Sequence, residues 1–511
     1  MPVAYYIEMP VDFPEGVHFG AGKQFNMLAV ARDGLGKPVL NGTSLAGVMR
    51  AIWRDYCKSK PNSTPENVAQ MADLLFGERC RDDDDDAERP VVSSAVRVTN
   101  YELMMANQST NQRTHHLRNR HRGTVVDGGL YSVESCPPGT SAEIGFWVYT
   151  EAASTAIDGL TDARIQEFLS VMSGAFQHGV CVGGNSNRGI GRAETNPESI
   201  KFRRFDLSVL QDQADQLDVA RAWSHGAKVS GLTRFEPTES VQSTMLVIDL
   251  KLKIPRGQDI LVADGQGQEV QMEPQRVIGV DGKYYWRIPG GSLRGLFRRW
   301  INRLSAREQL SRNANEPLAM SDVAAEYEPR EDFERKIDGA YCEQHDRYRG
   351  DNLGWCFTSP GERDGFQMPA DWHVESLFGT CFNPGRIKIS DGFQKCTDED
   401  VAKCPESQVR MHVAVDRVTG GAAEGMLFDN RVLIDPKQNA SGFSFRISIR
   451  NPEEHDVRWL AQTLVALDIG VLRVGSSKSS GRLSLSGMPE AKGKLEMDFK
   501  QRLKQHLSAV T

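Results

Sequence analysis

Two glycine-rich segments place serine and arginine at spacings that suit the binding of phosphate groups. The pattern Gly-x-Ser-Leu-x-Gly occupies residues 42–47 and recurs at residues 290–295. It predicts a helix that starts at the serine, where free backbone N–H groups and the helix dipole attract anions. An ordinary helix cap is the other interpretation, but the recurrence favours a phosphate seat. Its candidate ligands are Ser44, Arg50, Ser292, Arg294 and Arg298.

A second glycine-rich segment, here called the glycine-rich tail, follows in each half of the chain. Residues 183–192 (GGNSNRGIGR) and 475–482 (GSSKSSGR) have little side-chain bulk, so successive N–H groups can form concavities that hold anions. A flexible loop is the alternative interpretation, and the recurrence again favours anion binding. The candidate ligands are Gly183, Gly184, Asn185, Arg188 and Lys478.

Positive charge is concentrated in residues 113–122 (RTHHLRNRHR), although the whole chain has a net charge of −7. The segment that begins at His115 aligns without a gap on the segment that begins at His412. Acid–base catalysis by these histidines lacks support, because no partner base is apparent. A solvated strand edge is one interpretation, and the other is contact with an RNA backbone. The candidate contacts are Arg118, Arg120 and Arg417.

The nine cysteines are an odd number at irregular spacing, which is typical of a reducing cytoplasm. Cys342 and His345 have the spacing of zinc ligands, and Cys356 adds a third donor towards a tetrahedral structural site. Structural zinc and free thiols are both open interpretations of these residues.

The bulk composition excludes several classes of protein. The chain has 511 residues, 39% of them hydrophobic and 25% charged, which suits two or three globular domains. No apolar run is long enough to span a membrane, and residues 1–11 lack the pattern of a signal peptide. We therefore expect a cytoplasmic protein without membrane partners. The net acidity leaves nucleic-acid binding open, because binding depends on local charge.

Four blocks recur in the same order, which indicates two copies of one domain. Besides the glycine-rich segments, Leu-Phe-Gly occurs at residues 75–77 and 377–379, and residues 120–131 resemble residues 417–428. The first block recurs after 248 residues but Leu-Phe-Gly recurs after 302. The second copy therefore carries an insertion of 54 residues, which falls near 305–370.

Hydrophobic periodicity predicts the elements that position these motifs. Alternating apolar residues near 5–9 and 246–254 predict a first strand in each copy, after which the glycine motif opens a helix. A hairpin is predicted between residues 130–133 and 142–148, followed by a helix near 164–176. This order indicates an α+β fold of two tandem ferredoxin-like domains. The predicted bounds are 1–202 for the first domain, 203–240 for a linker and 241–511 for the second domain.

Together these blocks resemble the RAMP superfamily of CRISPR proteins, and in particular the backbone subunits of type III effector complexes. The family pattern of Arg-Asp, Pro and Gly-x-Ser-Leu-x-Gly-x-x-Arg appears at residues 32–50, and an Asp-Arg-x-Thr-Gly-x-Ala run followed by Leu-Phe appears at 415–428. A fusion of two copies is similar to proteins of type III-D systems. The resemblance implies RRM-like palms with β-hairpin thumbs near 96–118 and 388–412. It also implies three kinds of partner: crRNA, target RNA and other CRISPR effector subunits.

The resemblance further implies how active members cut the paired target RNA, with an aspartate before Arg-Asp and a divalent metal such as Mg²⁺ or Mn²⁺. In the first copy the aspartate position holds Asn26 or Met27, so we expect this copy to be catalytically silent. In the second copy it falls on Gln275, and the nearby acids that are candidates for catalysis are Asp264 and Glu273.

Two other functions stay open on the sequence alone. One is a free-standing metal-dependent endoribonuclease, which includes a crRNA-processing enzyme, and His18 in the first glycine loop is the one suggestive residue. The other is a protein-interaction scaffold that does not bind RNA. The predicted anion-binding segments in both copies argue against that scaffold.

Overall fold

The computed structural model describes residues 3–24, 27–61, 63–77, 93–105, 109–118, 125–150, 160–237, 244–263, 272–312, 372–379, 385–396, 405–416, 418–438, 440–475 and 480–508. The fold of these residues is α+β, as predicted, and two similar units follow each other along the chain. No helix in these ranges is long and apolar enough to cross a lipid bilayer.

The first unit is built around strand β1 (Val3–Phe13), which is buried along most of its length because both faces of its sheet are covered. The sheet has the order β13–β12–β1–β9–β5, and its pairings are antiparallel. Alternate side chains of β1 enter two cores, Tyr5 on one face and Tyr6 on the other. The other strands are β5 (Val96–Arg97), β9 (Thr140–Tyr149), β12 (Lys201–Asp206) and β13 (Thr233–Arg234).

Three helices contribute to the core on the Tyr5 face of this sheet. Trp53 of α1 packs edge-on against Phe168 of α3, with ring centroids 5.6 Å apart, and both side chains are fully buried. Thr64 begins α2 by accepting a hydrogen bond from Asn67 N–H at 3.2 Å. The helices are α1 (Gly42–Ser59), α2 (Pro65–Phe76) and α3 (Asp162–His178).

Helix α4 (Leu210–Ser224) packs on the opposite face, where Val219 joins Tyr6 and Phe205 in a separate core. Trp223 Nε1 donates a hydrogen bond to Gly145 C=O at 2.7 Å and so fixes the helix to β9. The predicted linker at 203–240 is corrected here, because its described residues supply β13, α4 and most of β12 to the first unit. The sequence is misleading because α4 buries only a narrow apolar stripe.

The second unit repeats this plan. Strand β14 (Met245–Lys253) pairs antiparallel with β22 (Phe443–Arg450), as β1 pairs with β9. Residues 305–312 of the predicted insertion form the end of α5, and its remaining residues lie outside the described ranges. The helices are α5 (Gly290–Arg312), α6 (Trp372–Phe378), α7 (Glu454–Asp468) and α8 (Glu496–Ser508). The other strands of the sheet are β16 (Arg276–Ile278), β17 (Tyr284–Ile288), β18 (Ile387–Ile389), β19 (Gly392–Cys396), β23 (Ser484–Leu485) and β24 (Glu490–Gly493).

Each unit also carries a long two-stranded hairpin. In the first, β7 (Asn111–Arg118) pairs with β8 (Val125–Ser135), and in the second, β20 (Glu406–Val415) pairs with β21 (Ala422–Ile434). The predicted pairing of residues 130–133 with 142–148 is wrong, because β8 pairs with β7 and β3 whereas β9 pairs with β1. An alternating pattern reveals a strand but not its partner. The remaining strands are β2 (Gly20–Gln24), β3 (Met27–Val30), β4 (Val39–Leu40), β6 (Tyr101–Glu102), β10 (Val180–Cys181), β11 (Arg192–Ala193) and β15 (Asp259–Ile260).

Candidate nucleic-acid interface

The starts of α1 and α5 hold the two Gly-x-Ser-Leu-x-Gly motifs. Helix α1 begins at Gly42 and its N-cap is the preceding residue, so Ser44 lies inside the helix and the prediction of a serine cap is wrong. The first N–H group of each helix already has an acceptor. Gly42 N–H donates to Asn100 Oδ1 at 3.0 Å, and Gly290 N–H donates to Asp391 Oδ1 at 2.9 Å. A side chain therefore occupies the N–H group nearest the helix start in both units.

Each motif begins with glycine because another part of the backbone passes close to it. A Cβ atom on Gly42 would lie 2.3 Å from Thr99 O, and one on Gly290 would lie 2.2 Å from Ile389 O. Nothing lies within 4 Å of a Cβ atom on the second glycine of either motif, Gly47 or Gly295. The first glycine thus permits the helix start to pack against the chain near the end of β5 or β18.

The arginines of these helices contact the Leu-Phe-Gly segments of their own units. Arg50 Nη1 donates to Gly77 C=O at 3.0 Å, and its Nη2 donates to Asp73. Arg294 donates to Phe378 C=O and lies over the phenyl ring, 5.7 Å from its centroid. An arginine at the carboxyl end of a helix binds carbonyl groups that have no partner within the helix. This contact explains why the two motifs recur together, and contact of these arginines with RNA stays a prediction.

The other residues predicted to bind phosphate at the starts of α1 and α5 have half-buried side chains. They are Ser44, Ser292 and Arg298. Their assignment to RNA also stays a prediction.

The glycine-rich tails pack against the preceding loops of their units. A Cβ atom on Gly183 would lie 2.5 Å from His18 O, and one on Gly475 would lie 2.4 Å from Leu261 O. Gly184 N–H donates to His18 C=O at 2.8 Å. Glycine permits this approach of backbone to backbone, which explains the composition without an anion. Anion binding by these tails stays a prediction, and Lys478 lies outside the described residues.

A histidine packs beside an aromatic ring at the same place in both hairpins. His115 of β7 is paired with Tyr131 of β8, and their ring centroids are 5.6 Å apart. His412 of β20 is paired with Phe428 of β21, with centroids 5.3 Å apart and ring planes inclined by 18°. In the first unit the guanidinium of Arg188 lies over the Tyr131 ring, 4.9 Å from its centroid. The tail and the hairpin of the first unit therefore meet at Tyr131.

The second hairpin exposes a row of apolar side chains, here called the β20 stripe. Its members alternate along the strand, and their exposed fractions are 47% for Val409, 64% for Met411, 46% for Val413 and 61% for Val415. At the tip, Asp416 Oδ1 accepts hydrogen bonds from Val418 N–H and Thr419 N–H, both at 2.8 Å. The aspartate of the Asp-Arg-x-Thr-Gly motif thus shapes the turn. An exposed apolar surface of this kind is typical of an interaction site.

One of the three predicted basic contacts lies in a described strand. Arg118 is the last residue of β7, whereas Arg120 and Arg417 lie outside the described residues. The predicted thumbs near 96–118 and 388–412 include only the first strand of each hairpin, in full or in part. Each hairpin continues into a second strand that ends at residue 135 or 434.

The two units contact each other through the hairpin and the tail of the first. Arg113 of β7 lies 2.7 Å from the Asp391 carboxylate of the second unit, and their side chains are 4% and 0% exposed. Arg287 lies 3.6 Å from the same carboxylate. Asp391 N–H also donates to Gly189 C=O of the first tail at 2.8 Å. Asp391 therefore joins the hairpin and tail of the first unit to the start of α5.

The repeated geometry agrees with a comparison of the sequence with known families. The RAMP superfamily matches residues 15–194 and 273–483, one stretch in each unit. The chain belongs to the RAMP superfamily. RAMP proteins act in CRISPR complexes with RNA and other subunits. A search of curated proteins finds no match to the chain.

The candidate catalytic acids belong to the second RAMP unit. Asp264 lies outside the described residues. Glu273 is 15% exposed, and its Oε1 lies 3.8 Å from Arg431 Nε. Gln275, on which the predicted position of the family aspartate falls, is buried and accepts a hydrogen bond from Arg287 Nε at 2.9 Å. Glu273 belongs to no group of three potential metal ligands within the described ranges. Metal-dependent cleavage from this unit stays a prediction.

His18, the one residue that suggested a processing enzyme, packs beneath the first tail of this RAMP protein. Its Nδ1–H group donates to Glu134 C=O at 2.7 Å, and the residue is only 4% exposed. Burial lowers the pKa of the His18 imidazole. A Cβ atom on Gly184 would lie 3.0 Å from the ring. This packing gives no support to proton transfer between His18 and an RNA. Of the two residues at the aspartate position of the first copy, Met27 begins β3 and Asn26 lies outside the described ranges.

The zinc ligands predicted from sequence, Cys342, His345 and Cys356, lie outside the described residues. Two cysteines of the first RAMP unit are buried thiols without a disulfide partner. Burial raises the pKa of Cys57 to about 11 and that of Cys136 to about 12. Such thiols stay protonated near neutral pH and are poor nucleophiles and metal ligands.

The two His–aromatic pairs are not among the contacts predicted from the sequence. The spacing of the four residues nevertheless indicates them. Tyr131 and Phe428 are 297 residues apart, and so are His115 and His412. When a hairpin is repeated, both members of a cross-strand pair recur after the same number of residues. The Asp391 contact has no comparable signal, because its partner lies 278 residues away in the other unit.

Proposed function

We propose that this RAMP protein is a backbone subunit of a type III CRISPR ribonucleoprotein and binds crRNA together with the target RNA paired to it. The observation that carries the proposal is the repeated hairpin, whose His–aromatic pair stands at the same place in two units that contact each other. A protein that binds a long RNA needs equivalent contacts at intervals along it. A tandem repeat supplies such contacts.

The hairpins suit contact with bases of any sequence. Stacking of a base on an aromatic side chain contributes about 1–3 kcal/mol and is tolerant of sequence, because every base has a π face. Apolar side chains such as those of the β20 stripe can also insert between neighbouring bases. Neither contact reads base edges, so base pairing with the guide RNA would provide the specificity.

The joined units suit a fixed spacing between successive contacts. The buried pair of Arg113 and Asp391 ties the first hairpin to the start of α5, so the second unit follows the first in one orientation. A protein that presents two equivalent sites in a fixed relation loses less freedom when it binds a continuous strand. The basic residues near the hairpin tips would then neutralise phosphates on either side of each contact.

Substitution of Phe428 tests this proposal. We expect Phe428→Ala to weaken binding of a fluorescently labelled single-stranded RNA by about 5- to 150-fold in an anisotropy titration, since about 1–3 kcal/mol of stacking is lost. Tyr284→Ala is the control, because Tyr284 is an aromatic residue on β17 outside the hairpins and is 50% exposed. Equal losses in the two variants would contradict a role of the hairpin in RNA binding.

Titrations at several salt concentrations separate the proposal from its alternatives. We expect the affinity to fall steeply as salt rises, because phosphate contacts release counterions. Binding that is absent at every salt concentration would favour a protein-interaction scaffold. Specific cutting of precursor RNA by the isolated protein would favour a free-standing endoribonuclease or a crRNA-processing enzyme.

For cleavage, we propose that only the second unit cuts target RNA, through Asp264 or Glu273 with Mg²⁺ or Mn²⁺. The support is the chemistry of a carboxylate, which binds a hard divalent cation, because the second copy has Asp264 and Glu273 near the expected aspartate position, which itself holds Gln275. We expect Asp264→Ala or Glu273→Ala to abolish target-RNA cleavage by the assembled complex while RNA binding is retained. The idea fails if cleavage is unchanged in both variants.

A further inference from the structure

A cluster of side chains that can bind a metal lies in the second unit, on elements other than the two hairpins and helices α1 and α5. His373 is in the first turn of α6, and Glu453 and His455 are at the start of α7. One ligand atom from each residue lies within 4.8 Å of the ligand atoms of the other two. His455 Nδ1 lies 3.6 Å from Glu453 Oε2, and the two imidazole centroids are 4.4 Å apart. It is the one such group within the described ranges.

The donor set favours zinc over the hard cations. Two imidazoles and one carboxylate are a ligand set of open zinc sites, in which an exchangeable water takes the fourth position. Magnesium and calcium prefer oxygen donors, so a site with two ring nitrogens discriminates against them. We propose that His373, Glu453 and His455 bind one Zn²⁺ ion and that the ion fastens α6 to the start of α7.

The surroundings of His455 orient its ring for this role. Nε2 is buried without a hydrogen-bond partner in the structure and lies 3.4 Å from Asp456 Oδ1. Asp456 is fully buried, and Arg386 Nη1 holds its other oxygen at 2.7 Å. Histidines that bind a metal usually direct their second ring nitrogen to a carboxylate, which fixes the tautomer. A small rotation of the ring would bring Nε2–H into a hydrogen bond with Asp456 and would leave Nδ1, on the Glu453 side, for the metal.

The distances allow the site to close without movement of the backbone. Zinc bonds of about 2.0–2.1 Å place tetrahedral ligand atoms about 3.4 Å apart, so no separation in the cluster needs to shrink by more than about 1.4 Å. His373 is exposed and the Glu453 side chain is 52% exposed, so both can turn inward. Arg386 Nη2 lies 3.5 Å from Glu453 Oε1 and competes weakly, but that guanidinium also binds Asp456 and Asn451 C=O. The Glu453 side chain also takes part in the capping box at the start of α7, where it accepts a hydrogen bond from Asp456 N–H. A carboxylate has two oxygens, so one can keep this cap while the other binds the metal.

Metal titrations of the full-length protein test the proposal. The protein is first dialysed against a chelator, and Zn²⁺ and Co²⁺ are then added separately while bound metal is counted and visible spectra are recorded. We expect the double variant His373→Asn, His455→Asn to bind one equivalent fewer than the wild type. The lost Co²⁺ equivalent should show ligand-field bands without a thiolate charge-transfer band, which separates this site from any cysteine site. His225→Asn, which changes an exposed histidine at the end of α4, is the matched control and should bind as many equivalents as the wild type.

A milder variant keeps the test decisive if the double variant fails to fold. Glu453→Gln removes the charged ligand but keeps the backbone N–H group that donates to Asp456 Oδ2 at 3.0 Å. We expect it to bind this zinc equivalent at least about tenfold more weakly, a loss typical of altered zinc sites. Unchanged zinc affinity in Glu453→Gln would overturn the proposal. So would unchanged stoichiometry in a folded double variant, or a thiolate band on the lost equivalent. RNA binding measured in parallel keeps this result separate from the proposed function.

Discussion

Replacement of Asp391 with asparagine tests the contact between the two units. Asparagine keeps an oxygen that accepts from Gly290 N–H, but it removes the charge opposite Arg113 and Arg287. Loss of one partner from a buried ion pair costs about 3–5 kcal/mol, because the remaining charge stays in the interior without a counterion.

Thermal unfolding of the full-length protein measures the effect. For a unit of this size, about 1 kcal/mol shifts the melting temperature by about 2–4 °C, so we expect Asp391→Asn to lower it by roughly 6–20 °C. The exposed pair of Lys37 and Glu102 supplies the control, since its side chains are 36% and 49% exposed. Glu102→Gln should shift the melting temperature by no more than about 4 °C, because solvent screens an exposed ion pair and leaves it little effect on stability.

A second substitution tests whether Asp391→Asn destabilises the protein through the lost charge or through altered packing. Arg113→Met in the Asp391→Asn background removes the guanidinium that lay 2.7 Å from the Asp391 carboxylate, so part of the lost stability should return. If Asp391→Asn lowers the melting temperature no more than Glu102→Gln does, the ion pair is not buried between the units in solution. The argument for a fixed tandem would then be refuted.

Two further predictions concern packing and protonation. Gly42→Ala should destabilise the protein by about 1–3 kcal/mol, because its Cβ atom would lie 2.3 Å from Thr99 O, whereas Gly47→Ala, with open space around it, should stabilise by about 0.5–1 kcal/mol. Chemical denaturation of both variants checks the contrast, and equal effects would contradict it. Burial lowers the pKa of Lys388 from 10.5 to about 8. The unfolded chain therefore holds more protons between about pH 8 and pH 10.5, and stability should rise with pH in that window relative to Lys388→Met. A difference in melting temperature that is the same at pH 7 and pH 9.5 would contradict this.

The elements that follow a regular apolar period are predictable from the sequence. Strands β1 and β14 and helices α1, α3 and α5 appear where alternation or helical spacing places them. Local spacing determines these elements because each buries side chains on a face that the period defines. The tandem arrangement can also be predicted from the sequence. Blocks that recur in the same order indicate a repeated domain, even when the role of each block is unknown.

The roles of the repeated residues are harder to predict, because glycine and arginine serve packing as well as binding. Gly183 and Gly290 stand where backbone approaches backbone, and Arg50 and Arg294 bind carbonyl groups within their own units. Recurrence of a residue in both units shows that the domain needs it. It does not show whether the residue is needed for packing or for contact with RNA. Pairs distant in sequence, such as Arg113 with Asp391, depend on how the units meet, which local patterns do not encode.

The position of β20 has a consequence for the protein before assembly. In the described part of the chain this strand stands at the border of its sheet, with β21 on one side and no strand on the other. Its free N–H and C=O groups, beside four exposed apolar side chains, form a template on which a second extended chain can add. We expect the isolated polypeptide to self-associate through this border at high concentration.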